Sequence, residues 1–217
     1  MTTTDTTKAF VAVPDVSPHM RWQPDSLLDG FEQLTIPLPS ATPAAGEPED
    51  TVLQATLVRH GEKRHDRAVL YVHGWSDYFF QVHQAAVFEE LGFDFYAVEL
   101  RRYGRSLGEG QLGGYITDLD HYAEELDAAL EVIRADHDRV TVLAPSTGGV
   151  VASLWAERRH SELNGIILNS PWLDMHGAPV FRTVTSSVMK QLGTRYPTTV
   201  LSLPDTGHYA RSIHNSL

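Results

Sequence analysis

Ala144-Pro145-Ser146-Thr147-Gly148-Gly149 is the segment whose residue types could do covalent chemistry. It falls between an apolar run, Val140–Leu143, and a helical pattern over 147–159. A serine hydroxyl becomes a useful nucleophile when a sharp strand-to-helix turn lifts its Oγ above a sheet. The residues flanking such a serine must be small, because the turn presses them against neighbouring backbone. Gly148 and Gly149 meet that demand, and Ala144 is the smallest departure from glycine on the other side. Pro145 fixes one φ and removes a donor. The same residues also read as an ordinary helix N-cap, Ser146 or Thr147, followed by glycines for close packing.

A second segment, His73-Gly74-Trp75, ends another apolar run, Ala68–Val72. In a strand–turn–helix architecture such a loop offers one backbone N–H to a developing oxyanion, and the residue after the nucleophile offers the other. The expected donors are the N–H groups of Trp75 and Thr147, each worth about 2.7–4 kcal/mol in a transition state. His73 and Gly74 support that loop. His73 precedes the serine, so it reads as a histidine tying the loop to backbone rather than as a general base. For acid and base, Asp205 and His208 stand in the right order with a Thr206-Gly207 turn between them, but they are close together and no strand precedes either. Asp174 directly follows an apolar run and reads as a loop cap, whereas His176 and His214 lack a supporting context.

Other chemistries find less support. The chain has 11 histidines, none at a ligand-like spacing, so no metal site is expected. The stretch holding Gly104, Gly108, Gly110, Gly113 and Gly114 lacks the pattern of a nucleotide-binding turn and reads as a flexible loop. No cofactor is expected. Arg101, Arg102 and Arg105 form a small basic cluster, suited to salt bridges with an acidic helix or to gripping an anionic leaving group.

The elements that must position these residues are legible as periodicity. Phe31–Leu38 and Thr51–Arg59 read as strands of an antiparallel hairpin with a long loop. Ala68–Val72, Phe93–Val98, Val140–Leu143 and Gly165–Leu168 are short and almost wholly apolar, as strands covered on both faces of a parallel sheet are. Helical patterns run over 79–91, 115–137 and 147–159. Alternation of strands and helices predicts an α/β fold with right-handed crossovers, and chemistry in such sheets sits at the carboxyl ends of the strands. Val180, Val184, Val188 and Leu192 recur at steps of four, the pattern of a lid helix. The expected organisation is an N-terminal arm over 1–25, a core over 26–175 and a lid segment over 176–217.

The 217 residues carry 17 Lys+Arg against 28 Asp+Glu, a formal net charge of −11. That balance argues against a nucleic-acid footprint, which needs a basic face. Hydrophobic residues make up 42%, enough for a sizeable core. There is no cysteine, which excludes disulfides, thiolate metal sites and a cysteine nucleophile. No signal peptide and no membrane span is read, so a cytoplasmic protein is expected.

Leu70-Tyr-Val-His-Gly74, Tyr103-Gly-Arg-Ser106, Ser146-Thr-Gly-Gly149 and Leu168-Asn-Ser-Pro171 together resemble the α/β-hydrolases. The nearest group is the serine aminopeptidase S33 group, which includes monoacylglycerol lipase and lysophospholipase-like enzymes. The family usually has Gly-His-Ser where this chain has Ala144-Pro145-Ser146. The resemblance implies an α/β-hydrolase fold, a mostly parallel sheet with an N-terminal antiparallel hairpin, flanking helices and a partial lid. It implies hydrolysis of a small ester or acyl substrate through an acyl-serine intermediate, with Ser146 attacking. In the family the acid and base follow two further strands beyond the lid. Residues 175–217 show no such strands, so this chain is expected to lack the C-terminal part of the domain. It would then be either a serine hydrolase or a catalytically dead relative with a binding role. A strand at Gly165–Leu168 without its neighbour would expose an apolar edge, and self-association through that edge is expected.

Overall fold

The computed structural model of the chain describes residues 20–159, 161–174, 191 and 193–198. The chain divides into two compact units, Met1–Leu173 and Asp174–Leu217. The first holds a seven-stranded sheet: β1 (Gln23–Pro24), β2 (Glu32–Pro37), β3 (Gln54–Arg59), β4 (Arg67–Val72), β5 (Asp94–Glu99), β6 (Arg139–Pro145) and β7 (Gly165–Asn169). Its helices are α1 (Val82–Glu90), α2 (Ala123–Arg134) and α3 (Ser146–Arg159). In the second unit residues 191 and 193–195 are helical. The stripe Val180, Val184, Val188 and Leu192, and with it Asp205, His208, His176 and His214, lies outside the described residues.

Strand order is β1-β2-β3-β5-β4-β6-β7. The predicted hairpin is β2 with β3, antiparallel, with Leu34 opposite Leu57. β5, β4, β6 and β7 run parallel, with Leu70 beside Tyr96 on one side and Val142 on the other. Alternation along β4 divides the core. Ala68, Leu70 and Val72 join Leu126, Leu130, Ile133, Val151 and Trp155 under α2 and α3. Val69 and Tyr71 join Phe79, Ala85 and Phe95 under α1. β4, β5 and β6 are thus covered on both faces, which is why their runs are continuously apolar, whereas β7, expected to be covered in the same way, is exposed. The chain moves from β4 to β5 on one side and then returns to β6 on the other. The order therefore reverses between β4 and β6, where α/β sheets open a crevice at their carboxyl ends.

β7 bonds to β6 alone among the described residues, and Ile166, Ile167 and Leu168 are 39%, 43% and 36% exposed. No described helix is long and apolar enough to cross a membrane.

Two local expectations need correction. The long helical pattern over 115–137 becomes a 3₁₀ turn at Leu119–Tyr122 and then α2. Asp118 caps the turn by accepting from the Asp120 N–H at 3.0 Å, which leaves Tyr115 in the preceding loop. Residues 20–25 take part in the sheet unit: β1 pairs with β2, Trp22 packs on the core, and Asp25 binds Arg105.

The basic cluster resolves into three separate ion-pair groups, of which only that of Arg101 reaches the acidic helix. Arg101 bonds Glu124 and Glu125. Arg102 holds Glu47 through two bonds of 2.7 Å. Arg105 sits between Asp25 and Glu99. All three guanidinium groups are buried and spent on structure, so none is free to grip a leaving group. Glu47 also accepts the N–H groups of Ala44 and Leu112 at 2.7 and 2.8 Å, which fastens the long β2–β3 loop to the loop after β5. The Arg102 guanidinium, helped by those N–H groups, pulls the Glu47 carboxyl from 4.5 to about 2. A depressed folded-state value gives stability that is present above pH 4.5 and lost as pH falls toward 2. Glu47→Gln is therefore expected to be less stable at neutral pH and to show a shallower loss of stability across that window. Parallel wild-type and variant curves from chemical denaturation would contradict the assignment.

Candidate active site

Ser146 stands where β6 gives way to α3, with φ +49°. Positive φ is uncommon for a residue with a Cβ and costs of order 1–3 kcal/mol unless its surroundings enforce it. The enforcement is visible in the glycines. A Cβ on Gly148 would collide with the carbonyl oxygens of Val72 and His73 at the end of β4. A Cβ on Gly149 would lie 2.6 Å from Pro171 Cβ and 3.4 Å from the Ala144 carbonyl oxygen. Ala144 is fully buried, so its single methyl is accommodated where the sequence pattern asked for glycine. The Trp172 N–H donates to the Ser146 carbonyl at 2.9 Å and ties the loop after β7 to this turn. Ser146 itself is exposed.

Among the described residues, the four non-glycine residues with positive φ follow the carboxyl ends of the four parallel strands. They are Ser76 after β4, Arg102 after β5, Ser146 after β6 and Ser170 after β7. Strain is thus concentrated on one rim of the sheet. No sequence signal announced the other three, since none is glycine or asparagine.

The His73 loop closes against the serine. A Cβ on Gly74 would sit 3.4 Å from Ser146 Cβ and 4.0 Å from its Oγ. His73 is buried, and both ring nitrogens are engaged. The Leu100 N–H donates to Nε2 at 3.1 Å, so Nδ1 carries the proton and donates to the Gly74 carbonyl at 2.8 Å. Burial pushes its pKa down, which keeps the ring neutral. With Nε2 accepting and Nδ1 donating, His73 has no nitrogen left to take a proton from Ser146. The Trp75 N–H makes no hydrogen bond among the described residues, and the Thr147 N–H, in the first turn of α3, has no intrahelical acceptor. The structure therefore brings His73, Gly74, Trp75, Ser146 and Thr147 together. Asp205 and His208 lie outside the described residues.

Beside this cluster is a cavity of about 250 Å³. Gly74, Trp75 and Thr147 contribute to its wall, and Leu100, Tyr103 and Val151 make it largely apolar. Tyr103 and Trp172, which also line it, were not singled out in the sequence. Their signal was positional only, since each follows the carboxyl end of a parallel strand.

A mixed sheet of this order, with helices on both faces and a strained serine at the strand reversal, defines an α/β-hydrolase. The family model described as serine aminopeptidase, S33, matches residues 63–214, and the chain belongs to that family. No curated protein matches the chain. Among solved structures, it is similar to the monoacylglycerol lipase of Paleococcus ferrophilus, with 19% identity and a TM-score of 0.52. That match covers 85% of this chain and 61% of the other. It is similar to a soluble variant of the Saccharomyces cerevisiae monoglyceride lipase, at 17% identity and TM-score 0.53, over 78% of this chain and 58% of the other. The carboxyl esterase of Bacillus coagulans matches at 17% identity and TM-score 0.55, over 77% and 52%. At these identities the likeness establishes the fold. The chain spans between 52% and 61% of the length of these three structures.

Proposed function

We propose that the protein hydrolyses carboxylic esters with an apolar acyl group, through an acyl intermediate on Ser146. The observation that carries this reading is the strained, exposed Ser146 at the β6–α3 turn, packed against a loop with an unengaged N–H. Ser146 Oγ attacks the ester carbonyl, and its proton passes to a general base. The carbonyl oxygen gains negative charge, which the N–H groups of Trp75 and Thr147 stabilise. Such donors act best when they are fixed before the reaction begins. His73 holds the loop by its two hydrogen bonds and so acts as a positioning residue. Collapse of the tetrahedral species expels the alcohol and leaves the acyl-serine, which water then hydrolyses. Because His73 is spent, the base comes from elsewhere, and His208 with Asp205 is the pair the sequence offers.

The apolar cavity beside the serine supports an apolar acyl group. Across p-nitrophenyl esters from acetyl to octanoyl, kcat/KM is expected to rise by roughly tenfold or more, at about 0.8 kcal/mol per buried methylene until the cavity is full. A flat profile, or one that favours acetate, contradicts this assignment of the cavity.

The second reading, a relative that binds without turnover, is favoured by one observation: no described residue supplies a free base beside Ser146. It predicts ester binding without release of nitrophenol.

A further inference from the structure

We propose that the recess around Asp77 binds a substituted ammonium group. The observation that starts the argument is a missing partner. Among the described residues, carboxylates that are not exposed lie within ion-pair distance of a basic side chain: Asp25, Glu47, Glu99 and Glu125 have arginines, and Asp94 has His137. Asp77 is only partly exposed and has none. Its Oδ1 accepts the Tyr78 N–H at 2.8 Å and its Oδ2 accepts the Tyr71 hydroxyl at 3.5 Å. Both contacts leave lone pairs free.

Asp77 lines a cavity of about 260 Å³ together with Trp75, Tyr78, Tyr103, Arg102 and Gly114. Arg102 brings no net charge there, because Glu47 neutralises it through two bonds. The remaining charge of the recess is the Asp77 carboxylate. Three of its other lining residues, Trp75, Tyr78 and Tyr103, are aromatic. Trp75 is 63% exposed and meets Tyr103 edge to face at 6.2 Å. The glycine-dense loop allows this. A Cβ on Gly114 would lie 3.3 Å from Trp75 Cη2, and one on Gly104 would lie 2.6 Å from Tyr78 Cβ. Gly114 lets the Trp75 and Tyr103 rings lie directly on the main chain, and Gly104 lets Tyr78 approach it, which gives the loop a role that its sequence left open.

Aromatic rings lining one recess with an unpaired carboxylate suit a large, weakly hydrated cation, since ring quadrupoles and the carboxylate attract the same charge. Calcium or magnesium would need about six oxygen ligands, and the described residues hold no group of three or more potential metal ligands there. The recess shares Trp75 and Tyr103 with the apolar cavity beside Ser146. One molecule could therefore place an ammonium group on one side of Trp75 and an apolar group on the other. Only the description of that molecule as a substrate rests on the esterase reading; the binding does not.

The test is titration calorimetry of the full chain with choline and with 3,3-dimethylbutan-1-ol, its uncharged isostere. Choline is expected to bind at least about tenfold more tightly, with one site per chain. Asp77→Asn is expected to erase that preference, and Trp75→Leu, checked for an unchanged circular dichroism spectrum, to weaken choline by a similar factor. Ser146→Ala should retain choline binding, so loss of the esterase reading leaves this result intact. Equal affinity for the two probes, no heat from choline, tighter binding of glycerol, or an undiminished preference in Asp77→Asn would each overturn the proposal.

Discussion

Ser146→Ala is expected to reduce ester hydrolysis by roughly 10⁴-fold or more while leaving the fold unchanged. The size follows from what is removed. The hydroxyl oxygen forms the bond to the acyl carbon in the first half-reaction and departs in the second, and no described neighbour can substitute for it. The fold is spared because Ser146 is exposed and the turn is held by backbone: the Trp172 N–H on its carbonyl and the glycines at 148 and 149. Removing the side chain leaves the positive φ in place, since alanine also carries a Cβ. The residual rate in the variant measures what the Trp75 and Thr147 N–H groups contribute alone. Equal kcat in wild type and variant would remove Ser146 from the reaction.

Gly148→Ala is expected to be the most damaging small substitution for stability. The added methyl meets the carbonyl oxygens of Val72, which pairs with Val98 of β5, and of His73, whose ring is held by the Leu100 N–H and the Gly74 carbonyl. Neither side can move aside by a rotamer change, as a flexible side chain would. Overpacking of this kind costs about 3 kcal/mol at the upper end of its usual range. Against a total stability of roughly 5–15 kcal/mol that is a large share. For a domain of this size the thermal midpoint should fall by roughly 6–12 °C. Any helix α3 that escapes the clash by shifting would also carry Ser146 away from Gly74, so activity should fall with stability. Gly74→Ala offers a contrast, because its Cβ would meet Ser146 Cβ at 3.4 Å, an ordinary contact. A Gly148→Ala melt that overlays the wild type would show that the β4–α3 approach is looser than described.

How much of this was legible in the sequence differs between elements for physical reasons. β4, β5 and β6 were readable because burial on both faces demands unbroken apolar runs, and Ala68–Val72 and Val140–Leu143 supply them, whereas β7 is equally apolar but exposed. The Ser146 turn was readable because its sterics exclude all but small residues at 148 and 149. The start of α2 was not, because Tyr115 and Leu119 extend the apolar spacing while Asp118 caps a 3₁₀ turn that precedes the helix. The ion pairs were half legible. Arg101 finds Glu124 and Glu125 on the acidic helix, but Arg105 reaches Asp25 and Arg102 reaches Glu47 across long sequence separations that local pattern does not encode. Of the two hydrogen bonds that disqualify His73 as a base, the one to the Gly74 carbonyl is local, but the one from the Leu100 N–H depends on β4 and β5 being neighbours. Asp77 stands out only once every buried carboxylate has been matched to its partner.

The central claim is that Ser146 is a reactive nucleophile, and labelling with a fluorophosphonate tests it most directly. The reagent forms a stable phosphonyl ester with an activated serine and expels fluoride. Mass spectrometry of the full chain is expected to show one adduct per molecule, mapped to Ser146 and absent from Ser146→Ala. A folded protein that stays unlabelled, or an adduct mapped to another residue, would contradict the account.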